Sequence, residues 1–442
     1  MTGLAKALAS GDWLDARVRA YFWILVAMAA AGIVLLGATS DGLNDYLGRP
    51  LGTDFSNIYV AGKYVLDGKP AAPFTPELQH LMEKRIFGPA TPFYGWHYPP
   101  VFLAIAALLA LLPYLPALIV WQAATLALYL ASIRAIVAES LSPSPLWGEG
   151  RGEGVGAFNS SADPPHPTTL RAVDLSPAGR GEIVRNYWLP ALAFPAVFIN
   201  IAHGHNGFLT AALFGGGLLL LDRRPVISGV LLGLLCYKPQ FGILIPLALA
   251  AGSYWRAFIA AGVTVAILVA ASWLTFGAET WAAFRDSLAF TQTAVLEEGG
   301  TGFHKIQSLF AALRAWHAPL PLAYGAQALL AIAVAVVVVM IWRSGGAPAP
   351  KAAALLSGAL LVTPYVLDYD LMVMAPAIAF LAAHGIARGF LPWEKTALAA
   401  IFIAPLVTRA VAEYTGLPIG FFALAALFLL SVRRAYTEGS VR

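Results

Sequence analysis

Apolar runs separated by short polar breaks dominate the chain. They lie at 21–39, 98–113, 115–137, 187–202, 207–221, 226–250, 255–274, 321–342, 352–367, 369–386, 396–412 and 418–432. A straight bilayer-crossing helix needs about 20 such residues. Several runs fall short of that, and short or proline-broken segments are tolerated where they line a cavity walled by protein. The pattern predicts an all-α polytopic membrane protein: one integral domain over 1–442 with about 11–13 transmembrane helices. The first run is long enough to span, whereas a secretory signal peptide would have a shorter core with a small-residue cleavage site near it, so it reads as an uncleaved anchor with its N-terminus inside.

Three stretches break the apolar rhythm. The first, 40–97, follows the first span and is expected outside the cytoplasm. Within it Phe55, Ile58, Tyr59, Gly62, Val65 and Leu66 recur at helical spacing, which predicts an interfacial amphipathic helix. Asp67-Gly68 ends it as a turn signal. The second stretch, 139–186, is dense in Gly, Pro and Ser with no apolar period, and reads as a disordered insertion. The third, 275–320, is amphipathic and is expected as a second outer loop.

Composition agrees with the pattern. The 442 residues are 59% hydrophobic and 12% charged, about half the charged share of a soluble domain. The net charge of +4 is not arranged as a basic stripe interleaved with aromatics, so no nucleic acid partner is expected. Lys6, Arg17 and Arg19 precede the first run and Arg433, Arg434 and Arg442 follow the last, as cytoplasmic flanks should. Arg343 to Lys351 and Arg388 to Lys395 also read as cytoplasmic, which places Asp368-Tyr369-Asp370 outside. Earlier in the chain two rules disagree. Counting every run as one crossing puts 139–186 and Asp222-Arg223-Arg224 outside, whereas the positive-inside bias puts both inside. The single cysteine, Cys236, lies in an apolar run and reads as a small buried hydrophobe.

Polar groups at or near membrane depth are costly and need a reason. Asp54 opens the surface helix. It is either a first-turn carboxylate favoured by the macrodipole or a general base kept ionised by the helix N-terminus. His97-Tyr98-Pro99-Pro100 marks re-entry into the membrane, as an aromatic anchor or a pocket wall. His203, His205 and Asn206 join two runs; without a third ligand nearby they read as a polar turn and not as a metal site. Lys238, beside the helix-breaking Pro239, suits either a lipid phosphate or a structural ion pair with another helix. His304, Gln307 and Ser308 fall three and four apart, on the solvated face of an interfacial helix or as donors to a phosphate. No nucleotide-binding glycine motif and no H-E-x-x-H is present, so no nucleotide domain, cofactor or metal is expected.

The chain resembles glycosyltransferase family 87, the polyprenyl-phosphate-mannose-dependent alpha-1,2-mannosyltransferases. The resemblance rests on an ordered set: T-D-F-S-N-I-Y-V-A-G-K-Y-V-L-D-G at 53–68, W-H-Y-P-P-V-F-L at 96–103, G-H-N-G-F-L at 204–209, S-G-V-L-L-G-L-L-C-Y-K-P-Q at 228–240, H-K-I-Q-S-L-F at 304–310 and T-P-Y-V-L-D-Y-D at 363–370. Two places depart from the family. Gly204-His205-Asn206 stands where G-Q is usual, and Leu367-Asp368-Tyr369-Asp370 stands for a Trp-Asp-His type.

The resemblance implies a C-type glycosyltransferase-like helical scaffold in the cytoplasmic membrane, with its active site facing outside. It implies transfer of a hexose, mannose in the family, from a polyprenyl-phosphate sugar donor to a lipid or glycan acceptor, with inversion. Asp54 would be the general base. His304, Gln307, Ser308 and Lys238 are the expected phosphate ligands. Tyr59, His97, Tyr98, Asn206, Asp368 and Asp370 are the expected pocket. Membrane lipids are the remaining partners. The competing reading, a lipid or sugar transporter or flippase, expects matching broken helices in two halves, and no convincing internal repeat is present.

Overall fold

The computed structural model describes residues 3–15, 17–141 and 177–439. Among these residues the fold is all helical, with no strand beyond isolated bridges. The helices are α1 (Gly3–Ser10), α2 (Asp12–Asp15), α3 (Val18–Ala38), α4 (Thr53–Leu66), α5 (Pro76–Phe87), α6 (Leu103–Ala110) and α7 (Tyr114–Leu141). Next come α8 (Pro177–Asn186), α9 (Trp188–Ala193), α10 (Pro195–His203), α11 (Gly207–Leu219), α12 (Pro225–Gly233), α13 (Pro239–Gly242) and α14 (Leu244–Ala251). The chain ends with α15 (Trp255–Phe290), α16 (Leu309–Ala315), α17 (Leu320–Arg343), α18 (Pro348–Leu361), α19 (Met374–Arg388), α20 (Glu394–Thr415) and α21 (Ile419–Gly439).

Seven helices among the described residues are long and apolar enough to cross a bilayer, and four shorter apolar helices accompany them. The protein is therefore an all-α, multi-pass membrane protein. Its lipid-facing character shows on α3, which has no buried residue and exposes Ile24, Val34 and Leu35. The centre is α18, buried almost throughout from Pro350 to Leu361 and packed on α17, α19 and α21. α11 packs on α7 and α12, and α12 on α15.

Three expectations need adjustment. The helix at 53–66 has the expected bounds, but nine of its residues are buried. It is wedged into protein against α6. Gly62 permits this: a Cβ there would stand 2.0 Å from the Ala106 carbonyl oxygen. The run at 255–274 continues as helix to Phe290, broken only at Gly277 (φ 82°, ψ 165°), so much of 275–320 is helix and not loop. Of the stretch 139–186, residues 139–141 end α7 and 177–186 form α8; the disorder expected for 142–176 lies outside the described residues.

Candidate active site

Asp54 is the second residue of α4, after the left-handed Gly52 N-cap. The turn between α10 and α11 is folded against this helix start. Gly204 adopts φ +64°, and a Cβ there would stand 2.6 Å from Phe55 Cβ. The close approach needs glycine on both counts. It brings His203 alongside: His203 Nδ1 lies 2.7 Å from Thr53 Oγ1 and 3.6 Å from Asp54 Oδ2. The first distance is a hydrogen bond and the second is too long for one. Thr53 thus occupies His203 Nδ1, and among the described residues no hydrogen bond reaches the Asp54 carboxylate. Its side chain is 21% exposed.

The carboxylate faces charges from three distant segments. Asp368 stands at the head of the turn leading into α19, 3% exposed, with Oδ1 accepting from Tyr369 N–H at 2.9 Å. Arg409 of α20 lies 3.7 Å from Asp368 Oδ2. Lys305 comes from the loop before α16. Burial first, then the Asp368 carboxylate, push Asp54 up to about 7, against the pull of Lys305, Lys238 and Arg409. The expected ionisation by the helix N-terminus is therefore outweighed by desolvation, a larger effect for a group held away from bulk water. Burial and the neighbouring Arg409 lower the pKa of Lys305, while Asp54 and Asp368 hold it up.

The two late motifs are stitched together. Gln307 N–H donates to Val366 O at 2.6 Å, Ser308 Oγ–H donates to Pro364 O at 2.7 Å, and Ile306 bridges Leu367. Ser308 Oγ also accepts from Ala311 N–H as the N-cap of α16. Both capacities of this hydroxyl are used structurally, so it is not a free phosphate donor. Gln307 is 1% exposed, its Nε2 donating to His304 O at 2.8 Å. His304 remains partly exposed. Lys305, between them, is the member of this motif whose charge acts on Asp54.

Lys238 is buried and ion-paired, Nζ to Asp370 Oδ1 at 2.6 Å. Asp370 Oδ2 accepts from Leu367 N–H at 3.0 Å. Of the two readings for Lys238, the structural ion pair is the one formed. It locks the α12–α13 break to the motif bearing Asp368. Above it Tyr98 Oη meets His205 Nε2 at 3.1 Å, and the His205 ring stacks on Tyr369 with centroids 3.5 Å apart. Asn206 is fully buried and no partner reaches its side-chain amide among the described residues.

Two expected pocket residues lie elsewhere. Tyr59 packs on Phe55 and Tyr114, its hydroxyl donating to Leu112 O at 3.1 Å. It braces α4 against the α6–α7 turn. His97 Nδ1 pairs with Thr291 Oγ1 at 2.9 Å and pins the end of α15, and burial lowers its pKa to about 4. Conversely, His203, expected only as part of a polar turn, and Lys305, inside the 304–308 cluster, join the site, as does Arg409, which was not among the expected residues. Arg409 had a legible signal: a lone cation inside the apolar run 396–412.

A carboxylate raised to about 7, three cations within electrostatic reach, and buried aromatics and amides beside them fit acid–base chemistry. The comparisons with known proteins agree in class. A sequence model described as glycosyltransferase family 87 matches residues 96–364. Asp54 lies before this span and Asp368 after it. Neither the curated proteins nor the solved structures yield a match. The match covers more than half of the chain and includes the Lys238 break and the 304–308 motif, and on that ground the chain belongs to glycosyltransferase family 87.

Proposed function

We propose that the protein moves a hexose, mannose being the family's sugar, from a polyprenyl-phosphate donor to a hydroxyl of a lipid or glycan acceptor on the outer face of the cytoplasmic membrane. The observation that carries this reading is the Asp54 carboxylate. It has no hydrogen bond among the described residues, is raised to about 7, and lies within reach of the charges on Lys305 and Arg409. A base poised near the working pH removes a proton most effectively.

In the proposed step Asp54 takes the acceptor hydroxyl proton as that oxygen bonds to the anomeric carbon. The bond from that carbon to the phosphate oxygen breaks on the opposite face, and polyprenyl phosphate leaves with the electron pair. Configuration inverts. Lys305 and Arg409, with His304 at the rim, stabilise the charge growing on the leaving phosphate. Asp368 orients Arg409 and tunes Asp54. Tyr98, Asn206 and Tyr369 wall the sugar side.

Purified protein supplied with radiolabelled polyprenyl phosphomannose or with GDP-mannose separates donor classes. Label transfer to an acceptor from the polyprenyl donor alone is expected. Transfer from the nucleotide sugar alone would overturn the donor assignment.

A further inference from the structure

His203 takes no part in the transfer step above. Yet among the described residues it is the one basic side chain that meets the Asp54 carboxylate, Nδ1 to Oδ2 at 3.6 Å. Its place is fixed by neighbours other than Asp54. It is the last residue of α10, which the left-handed Gly204 closes. One turn earlier, Asn200 ties the same helix end down: Oδ1 accepts from Gly207 N–H at 3.0 Å, and Nδ2 donates to Tyr369 O at 3.0 Å. The His203 ring meets the Tyr369 ring edge to face, with centroids 6.0 Å apart.

Nδ1 is thereby held between oxygens of two consecutive residues at the start of α4. Thr53 Oγ1 is at 2.7 Å and Asp54 Oδ2 at 3.6 Å. An approach of about 0.6 Å would make the second a hydrogen bond. Burial first, then the charges of Arg409, Lys305 and Arg49, lower the His203 pKa to about 3, so the imidazole is neutral where Asp54 ionises. A neutral imidazole carries one N–H. A bare Nδ1 lone pair facing an ionised carboxylate is repelled, which favours the proton on Nδ1. That N–H then has two acceptors in reach. The hydroxyl of Thr53 is always neutral, whereas Asp54 gains a charge, and a charged acceptor makes the stronger hydrogen bond.

The other charges that act on Asp54 are Asp368, Lys305, Lys238 and Arg409. None of them hydrogen-bonds to it among the described residues. The phenols that sense it, on Tyr94, Tyr98, Tyr114, Tyr365 and Tyr369, are uncharged near pH 7. His205, next along the turn, is engaged with Tyr98.

We propose that His203 is the positioning residue of the transfer: its Nδ1–H hydrogen bond passes from Thr53 Oγ1 to Asp54 Oδ2 as the carboxylate ionises, leaving Oδ1 aimed at the acceptor hydroxyl. The proton stays on Nδ1 and no covalent bond changes. The inference rests on Asp54 being the base and says how that base is aimed.

The test is kcat and kcat/KM against pH for the full-length protein, with radiolabelled polyprenyl phosphomannose as donor and a total membrane-lipid extract as acceptor pool. His203→Phe keeps the ring and removes both nitrogens. It should lower kcat about tenfold and move the acid limb up by about one pH unit. In His203→Asn the amide nitrogen stands in for Nδ1, so kcat should stay within about threefold of wild type with the limb restored. His203→Gln places its nitrogen at the other ring position and should behave like His203→Phe. Thr53→Val removes the competing acceptor and should move the limb down. A hydroxyl–imidazole contact of structural value alone would make Thr53→Val behave like His203→Phe, so a shift in the same direction overturns the proposal. An unmoved limb in a folded His203→Phe protein also overturns it. Should that variant lose its fold, equal activity of His203→Asn and His203→Gln overturns it. Wild-type turnover by Asp54→Asn is the separate outcome that removes the base itself.

Discussion

Asp54 Oδ2 and Asp368, 314 positions later in the chain, belong to one electrostatic unit, with Asp368 the largest charge acting to raise the Asp54 pKa. Asp368 is in turn faced by Arg409 at 3.7 Å. A like charge on one side and cations on the other set the protonation of the proposed base.

The pH profile of transfer should therefore rise through a single ionisation near 7, because Asp54 acts only when ionised. Asp368→Asn removes the like charge and should move this limb to lower pH. Lys305→Gln removes a counter-charge and should move it higher. Steady-state kcat/KM against pH reads both shifts. An acid limb unmoved by either change would detach it from Asp54.

The Lys238–Asp370 pair tests the structural reading of that lysine. Both side chains are almost fully buried. Leaving one charge alone should destabilise the fold by about 3–5 kcal/mol, whereas replacing both by apolar residues should recover much of the loss. Thermal unfolding of Lys238→Met, Asp370→Leu and the double variant in detergent gives the comparison. Equal loss in the double and single variants would argue against a paired role.

Gly62→Ala should separate α4 from α6, because the added Cβ would meet the Ala106 carbonyl oxygen at 2.0 Å. Overpacking of this kind costs about 1–3 kcal/mol. Since α4 carries Asp54, activity should fall together with Tm. An alanine variant with native Tm would show that the helix has room to move.

Glu83 offers a stability readout away from the catalytic residues. It is fully buried, accepting from Tyr94 N–H at 3.1 Å and Gln79 Nε2 at 3.3 Å. Burial pushes its carboxyl from 4.5 to about 8. The folded state then holds the proton more tightly than the unfolded chain. The contribution of Glu83 to stability is greatest below 4.5 and declines as pH rises towards 8, by at most about 1.4 kcal/mol per pH unit. Glu83→Gln should flatten the dependence of Tm on pH across that window. An equally steep curve in the variant would place the titration elsewhere.

Local rules carried much of the fold. The bounds of α4, the Asp67-Gly68 turn and most apolar helices follow from periodicity and turn chemistry alone, because these act over a few neighbouring residues. Ser308 was open to the same logic: a serine directly before an apolar helix reads as an N-cap. Pairings across the chain were not legible. Nothing near Lys238 names Asp370, and nothing near Asp54 names His203, Lys305 or Arg409. Tyr59 shares the helical face pattern of a pocket residue, yet only the packing of Tyr114 against it reveals a brace. The burial of α4 was hidden for a related reason: its polar residues resemble a solvated face until α5 and α6 cover them.

The most direct measurement is transfer by Asp54→Asn, which keeps the side-chain shape and removes the base. Turnover with labelled polyprenyl phosphosugar should fall by about 10²–10⁴-fold, with Tm unchanged or raised, since the amide spares a desolvated carboxylate. Turnover at the wild-type level in a folded Asp54→Asn protein would contradict the catalytic role of this residue.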